Sequence, residues 1–191
     1  VLLAWLNSLL GYQSNRELLE DTKTVAEGFD ADGRSFLSIT SLPVQLVKIS
    51  PDDLARYDEN IRAHLAAINR NRREPITLRY FQYLAALYTE IVLDRLFHHK
   101  AQLLTDLNDF VRRRNTSRLP GEAKDEAFTA DDLTKLAFWM ATGSGKTLLL
   151  HLNYHQFRHY NTEPLDNILL ITPNEGLSKQ HLAELTASGI P

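Results

Sequence analysis

The chain has 191 residues, enough for one domain or one and a half. Its 43% hydrophobic and 24% charged residues make a globular composition, and a net charge of −3 provides no global basic field, although a local nucleic-acid groove would not need one. The lack of cysteine excludes disulfides and cysteine-ligated zinc and fits a reducing, cytoplasmic setting; no apolar run approaches the roughly 20 residues of a membrane span.

Residues 1–28 read as two helices. Leu2, Leu3, Leu6, Leu9 and Leu10 recur at helical spacing as far as Gly11, and no basic start marks them as a signal peptide. Ser14 with Glu17 three residues on forms a capping-box pattern for the second. Gly28–Gly33 holds two Asp and two Gly. It lacks the acid ladder of a calcium loop and reads as a turn. A short strand is expected at 44–49. Ser50-Pro51-Asp52-Asp53 then starts a helix to about Asn69, with Leu54, Tyr57, Ile61, Leu65 and Ile68 on one face. The turn that follows carries Arg70, Arg72 and Arg73. Solvated surface is the plainer reading of such a cluster and phosphate contact the sharper one.

A helix from about Phe81 to His99 is apolar on much of its circumference and belongs inside the fold. Another, with Leu103, Leu107, Phe110 and Val111 on one side, ends in Arg112-Arg113-Arg114, where cations complement the helix dipole. Residues 115–126, with Pro120-Gly121, read as a loop, and Thr129–Asp132 as a short turn or helix. Leu136–Met140 and Ile168–Thr172 are continuous apolar runs of the kind found in parallel strands. Each precedes a helix, the first to about Tyr160 and the second at 178–187. Strand, helix, strand, helix predicts the opening of a doubly wound α/β fold. Val1 in place of Met, and Pro191 just after a helix, read as the cut ends of a larger protein.

The chemistry concentrates in Ala141-Thr142-Gly143-Ser144-Gly145-Lys146-Thr147, between the first expected strand and its helix. Two glycines let backbone N–H groups turn onto one anion, and the helix adds its unpaired N–H groups and positive dipole end. Lys146 can reach the β- and γ-phosphates of ATP, and the Thr147 hydroxyl can hold Mg²⁺. The strict phosphate-loop pattern requires Gly where Met140 stands. After the second expected strand, Pro173, Leu177 and Gln180 stand four and seven residues apart, and Thr172, Pro173 and Asn174 become candidates for contact with a sugar-phosphate backbone. His151, His155 and His159 recur every fourth residue, but three ligands over two helical turns do not converge on one ion.

The loop resembles motif I of superfamily 2 helicases, which commonly lack the first glycine, and Pro173–Gln180 resembles their motif Ia, which touches the bound strand. Gln82 in Leu78-Arg79-Tyr80-Phe81-Gln82 resembles their adenine-reading Gln, with a buried, structurally satisfied Gln as the alternative. Together these segments resemble bacterial DEAD/DEAH-box proteins of the type III restriction enzyme Res-subunit family, over roughly residues 51–191. The resemblance implies a helical region at 1–74, then a RecA-like P-loop NTPase domain at 75–191 with a helical insertion at about 98–131. It also implies an ATP- and Mg²⁺-dependent motor on DNA, with RNA left open, working with a modification or nuclease partner. The acidic pair of motif II is not found after Thr147, so this stretch alone is expected to bind nucleotide and scarcely hydrolyse it. A P-loop NTPase of another class, without nucleic acid, is the competing expectation.

Overall fold

The computed structural model describes residues 1–43 and 45–190. Among them lie α1 (Leu2–Leu9), α2 (Asn15–Thr22), α3 (Phe36–Thr40), α4 (Pro51–Asn69), α5 (Tyr80–His98), α6 (Lys100–Thr116), a single 3₁₀ turn (Asp132–Thr134), α7 (Lys146–Tyr160) and α8 (Glu175–Ala187).

Local capping explains where several helices begin. The Ser14 hydroxyl accepts from the Glu17 N–H at 3.2 Å while the Glu17 carboxylate accepts from the Ser14 N–H, completing the capping box. Ser50 caps α4 by accepting from Asp53 N–H at 3.0 Å, with Pro51 in the first turn. The Asn174 side chain accepts from Leu177 N–H at 3.0 Å and starts α8 three residues earlier than its apolar pattern suggests. At 28–36 the expected turn is present: Phe29 and Ser35 bridge, and the Asp30 carboxylate accepts from the N–H groups of Asp32 and Arg34.

The core is the trio α4, α5 and α7. Gln82 meets Ser144, Glu90 meets Gln156, and Phe97 meets Phe157, so α5 and α7 run parallel. Asn60 meets Tyr160 and His64 meets His155, so α4 runs against them. Leu87, Ile91, Ile61, Ile68 and Leu152 are fully buried between them. As its composition demands, α5 is enclosed on most sides, and Gln82, Thr89, Glu90 and Asp94 are buried with it.

Each of those buried acids has partners. Glu90 accepts from the Tyr160 hydroxyl (2.6 Å), the Gln156 amide (2.7 Å) and the Asn60 amide (3.0 Å); burial nevertheless raises its pKa. Asp94 accepts from Tyr57, Arg56 and His98. Burial alone would raise its pKa, but these hydrogen bonds outweigh it and hold the pKa down to about 2. Asp58, fully buried on α4, accepts from Arg34 Nε, the Ser35 N–H, and the Ser38 and Tyr83 hydroxyls.

The expected α/β architecture is not what the chain adopts. Among the described residues there is no strand and no sheet, only helices and the single Phe29–Ser35 bridge. Among the described residues, 136–140 and 168–172 make no backbone–backbone hydrogen bond to one another or to any other segment. Trp139 is 99% exposed, Leu169 82% and Ile171 89%. The reason lies in what a sheet is. A continuous apolar run expresses a demand for burial, but a strand exists only once its N–H and C=O groups find a ladder, and none is offered here. The strand expected at 44–49 begins at Val44, outside the described residues, and 45–49 is turn and irregular chain.

Three histidines sit on the α4–α7 seam: His64 and His155 are stacked with ring centroids 5.9 Å apart, and His159 meets His64 edge-on at 5.6 Å. Burial, then the neighbouring His155 and His159, push the His64 pKa down to about 4. A lowered pKa means the unfolded chain takes the proton first. Stability contributed by neutral His64 is therefore complete above about pH 6.5 and is lost as pH falls toward about 4. Urea unfolding at pH 7 and pH 5 is expected to show wild type losing on the order of 1–2 kcal/mol more than His64→Phe over that interval. An equal loss in both proteins would contradict this placement.

Candidate nucleotide site

The loop 141–145 crosses from the apolar segment 136–140 into α7. Gly143 and Gly145 have φ of +77° and +87°, a left-handed conformation that residues with a Cβ rarely adopt. The Ser144 hydroxyl and N–H both donate to the Ala141 carbonyl, at 2.6 and 3.3 Å, and close the turn on itself. Among the described residues no side chain caps α7. Among the described residues, the N–H groups of Gly143, Gly145, Lys146, Thr147 and Leu148 donate to no protein acceptor. This is the donor set that an anion at a helix N-terminus uses.

Lys146 is exposed, and its ammonium donates to the carbonyls of Ala141 (2.9 Å) and Met140 (3.3 Å). A flexible four-carbon stem holds a point charge directly over the loop, where it can exchange carbonyl partners for a phosphate. Thr147 is half-buried in the first turn, and its hydroxyl has no partner among the described residues. Thr142 is exposed. These groups suit a phosphate chain with its magnesium: unpaired donors, one cation and one free hydroxyl, gathered within six consecutive residues.

Gln82 is 8% exposed, and both ends of its amide are engaged. Its Oε1 accepts from the Arg79 N–H at 3.0 Å, and its Nε2 donates to the Ser144 carbonyl at 2.9 Å. Its amide is thus buried and satisfied, with the loop 141–145 itself as one partner. The fit is close: a Cβ placed on Gly145 would run into the Gln82 amide, whereas one on Gly143 would meet open space. Nothing in the sequence near Gln82 names Ser144, 62 residues on, as its partner.

Thr172, Pro173 and Asn174 form their own local arrangement. The Thr172 hydroxyl donates to the Asn174 carbonyl at 3.1 Å, and the Asn174 side chain is occupied as the cap of α8. No hydrogen bond joins these residues to the phosphate loop among the described residues. The link between the two segments lies at the far end of α8. There the buried Ser188 hydroxyl meets His151 Nδ1 at 2.8 Å and accepts from Arg72 at 2.9 Å. This junction has no sequence signal, since its members lie 37 and 116 residues apart. It also occupies His151 separately from His155 and His159. Among the described residues, no three His, Cys, Asp or Glu side chains are arranged to hold a metal ion.

Beside the loop runs a cleft of about 600 Å³ lined by Leu3, Leu6, Phe81 and Leu84, by residues 136–141 and by Ser144. A family model described as type III restriction enzyme, res subunit, matches residues 93–190. The chain belongs to that family. Membership in the res-subunit family points to a helicase-like ATP hydrolase in general terms. The match spans α6, the phosphate loop, α7 and α8; it begins at Leu93, so Gln82 and the arginine turn at 70–73 lie outside it, and it is shorter than the 51–191 suggested by the motifs. No curated protein and no solved structure matches the chain. No helix among the described residues is long and apolar enough to cross a membrane.

Proposed function

We propose that this res-subunit chain binds MgATP at Thr142–Thr147 as the nucleotide-holding part of a DNA helicase or translocase motor. The observation that carries the reading is the set of unpaired N–H groups at Gly143 and at residues 145–148, beside the Lys146 ammonium. The triphosphate takes the amides, Lys146 turns from its carbonyls to the β- and γ-oxygens, and Thr147 contributes its hydroxyl to Mg²⁺. The nucleoside lies in the apolar cleft that Ser144 helps to line, whose volume suits a ligand of that size. Gln82 then acts on the nucleotide through the loop it holds. Thr172, Pro173 and Asn174 contact the nucleic-acid backbone, and a modification or nuclease subunit completes the assembly.

Hydrolysis requires further charge: a carboxylate pair to place Mg²⁺ and orient water. The reading therefore separates binding from turnover. Titration with a fluorescent ATP analogue should give saturable, Mg²⁺-dependent binding, and labelled duplex DNA should bind in the same preparation. MgATP binding with no affinity for DNA or RNA would favour a P-loop NTPase of another class. No MgATP binding at all would defeat both.

A further inference from the structure

The sequence holds two arginine clusters, and the structure treats them differently. At the end of α6, Arg112 is paired with Asp109 at 2.6 Å, while Arg114 and Arg118 share Asp125 at 3.1 and 2.7 Å. Three of those four arginines are thus engaged within the chain, two of them on one carboxylate, while Arg113 joins no ion pair among the described residues. In the turn after α4, none of Arg70, Arg72 and Arg73 joins an ion pair among the described residues. Arg72 points inward to Ser188, and Arg70 and Arg73 are exposed.

This turn is also fixed in place. The Asn69 side chain accepts from the Ile76 N–H and donates to the Ile76 carbonyl, both at 2.9 Å, and the Arg72 N–H donates to the Asn69 carbonyl at 3.0 Å. Arg72 ties it through Ser188 to His151, five residues into α7, which is ~7.5 Å along the axis from Lys146. The turn thus stands at the phosphate-loop end of the helical trio. The acids nearby are Glu74 in the turn itself and Glu184 near His151; neither forms an ion pair with these arginines.

We propose that the Arg70–Arg73 turn is a docking surface for the sugar-phosphate backbone of nucleic acid, outside the family-matched region and adjoining the nucleotide site. Two unmatched guanidinium groups on a rigid turn meet phosphate oxygens with little ordering cost. Contacts of this kind set position rather than sequence preference. The inference rests on the reading that the chain engages nucleic acid at all.

The test is fluorescence anisotropy of a labelled 20-base-pair duplex, titrated with the intact chain across a KCl series. Arg70→Gln/Arg73→Gln should bind about tenfold more weakly, with a salt slope smaller by about 1.8, corresponding to two lost phosphate contacts. Arg112→Gln should match wild type, and circular dichroism should be unchanged for both variants. Wild-type affinity and slope in the double variant would overturn the proposal, as would equal weakening by Arg112→Gln. A wild-type chain that binds no duplex would instead overturn the nucleic-acid reading on which it stands.

Discussion

Lys146→Ala should weaken MgATP binding by about two to three orders of magnitude while leaving the fold intact. One unit charge about 4 Å from a phosphate oxygen, in the intermediate dielectric of a protein surface, is worth up to ~4 kcal/mol, and each 1.4 kcal/mol is about tenfold in affinity. The lysine is exposed, and its protein contacts are two carbonyls of its own loop, so its loss removes no packing. Unfolding free energy should therefore stay within about 0.5 kcal/mol of wild type. The contrast makes the experiment informative: affinity moves and stability does not. A variant that binds MgATP as wild type does would show that the loop is a turn with a solvated lysine.

Asp58→Ala should do the reverse and cost on the order of 3–5 kcal/mol of stability. The carboxylate is fully buried and answers four donors, two of them hydroxyls and one the Arg34 guanidinium. Removing it strands a partly buried cation at 30% side-chain exposure and a backbone N–H with no replacement partner. It also frees the turn before α3 from α4 and from Tyr83 of α5. Urea unfolding should show a large fall in midpoint with little change in slope, as for a native-state defect. A loss below about 1 kcal/mol would mean that water replaces the carboxylate and that the 28–38 segment is less firmly held than its bonds imply.

The legible features in this chain were the local ones. Ser14 and Ser50 cap helices where expected because a cap is written in three or four neighbouring residues, whereas the Asn174 cap of α8 was missed because the apolar pattern begins only at 178. The glycines of the phosphate loop were legible for the same reason, since φ and spacing are local properties. Helix α3 escaped because five residues are too few to show a period, and its Ser35 cap resembles any loop serine. The sheet was over-read. Leu136–Met140 and Ile168–Thr172 announce burial, yet whether a ladder forms depends on partners no short window contains. The ties that shape the site were out of reach by the same logic. Gln82 to Ser144 and Arg72 to Ser188 are long-range pairings of ordinary polar residues, and only the fold brings them together.

Hydrogen exchange at residues 143–149, followed with and without MgATP, tests most directly whether backbone amides at the start of α7 hold a phosphate chain. Marked slowing is expected at Gly143 and at residues 145–148 when MgATP is added, and no such slowing in Lys146→Ala at the same nucleotide concentration. Unchanged exchange at those amides in wild type, under conditions where MgATP is bound, would place the nucleotide elsewhere and contradict that role of the amides.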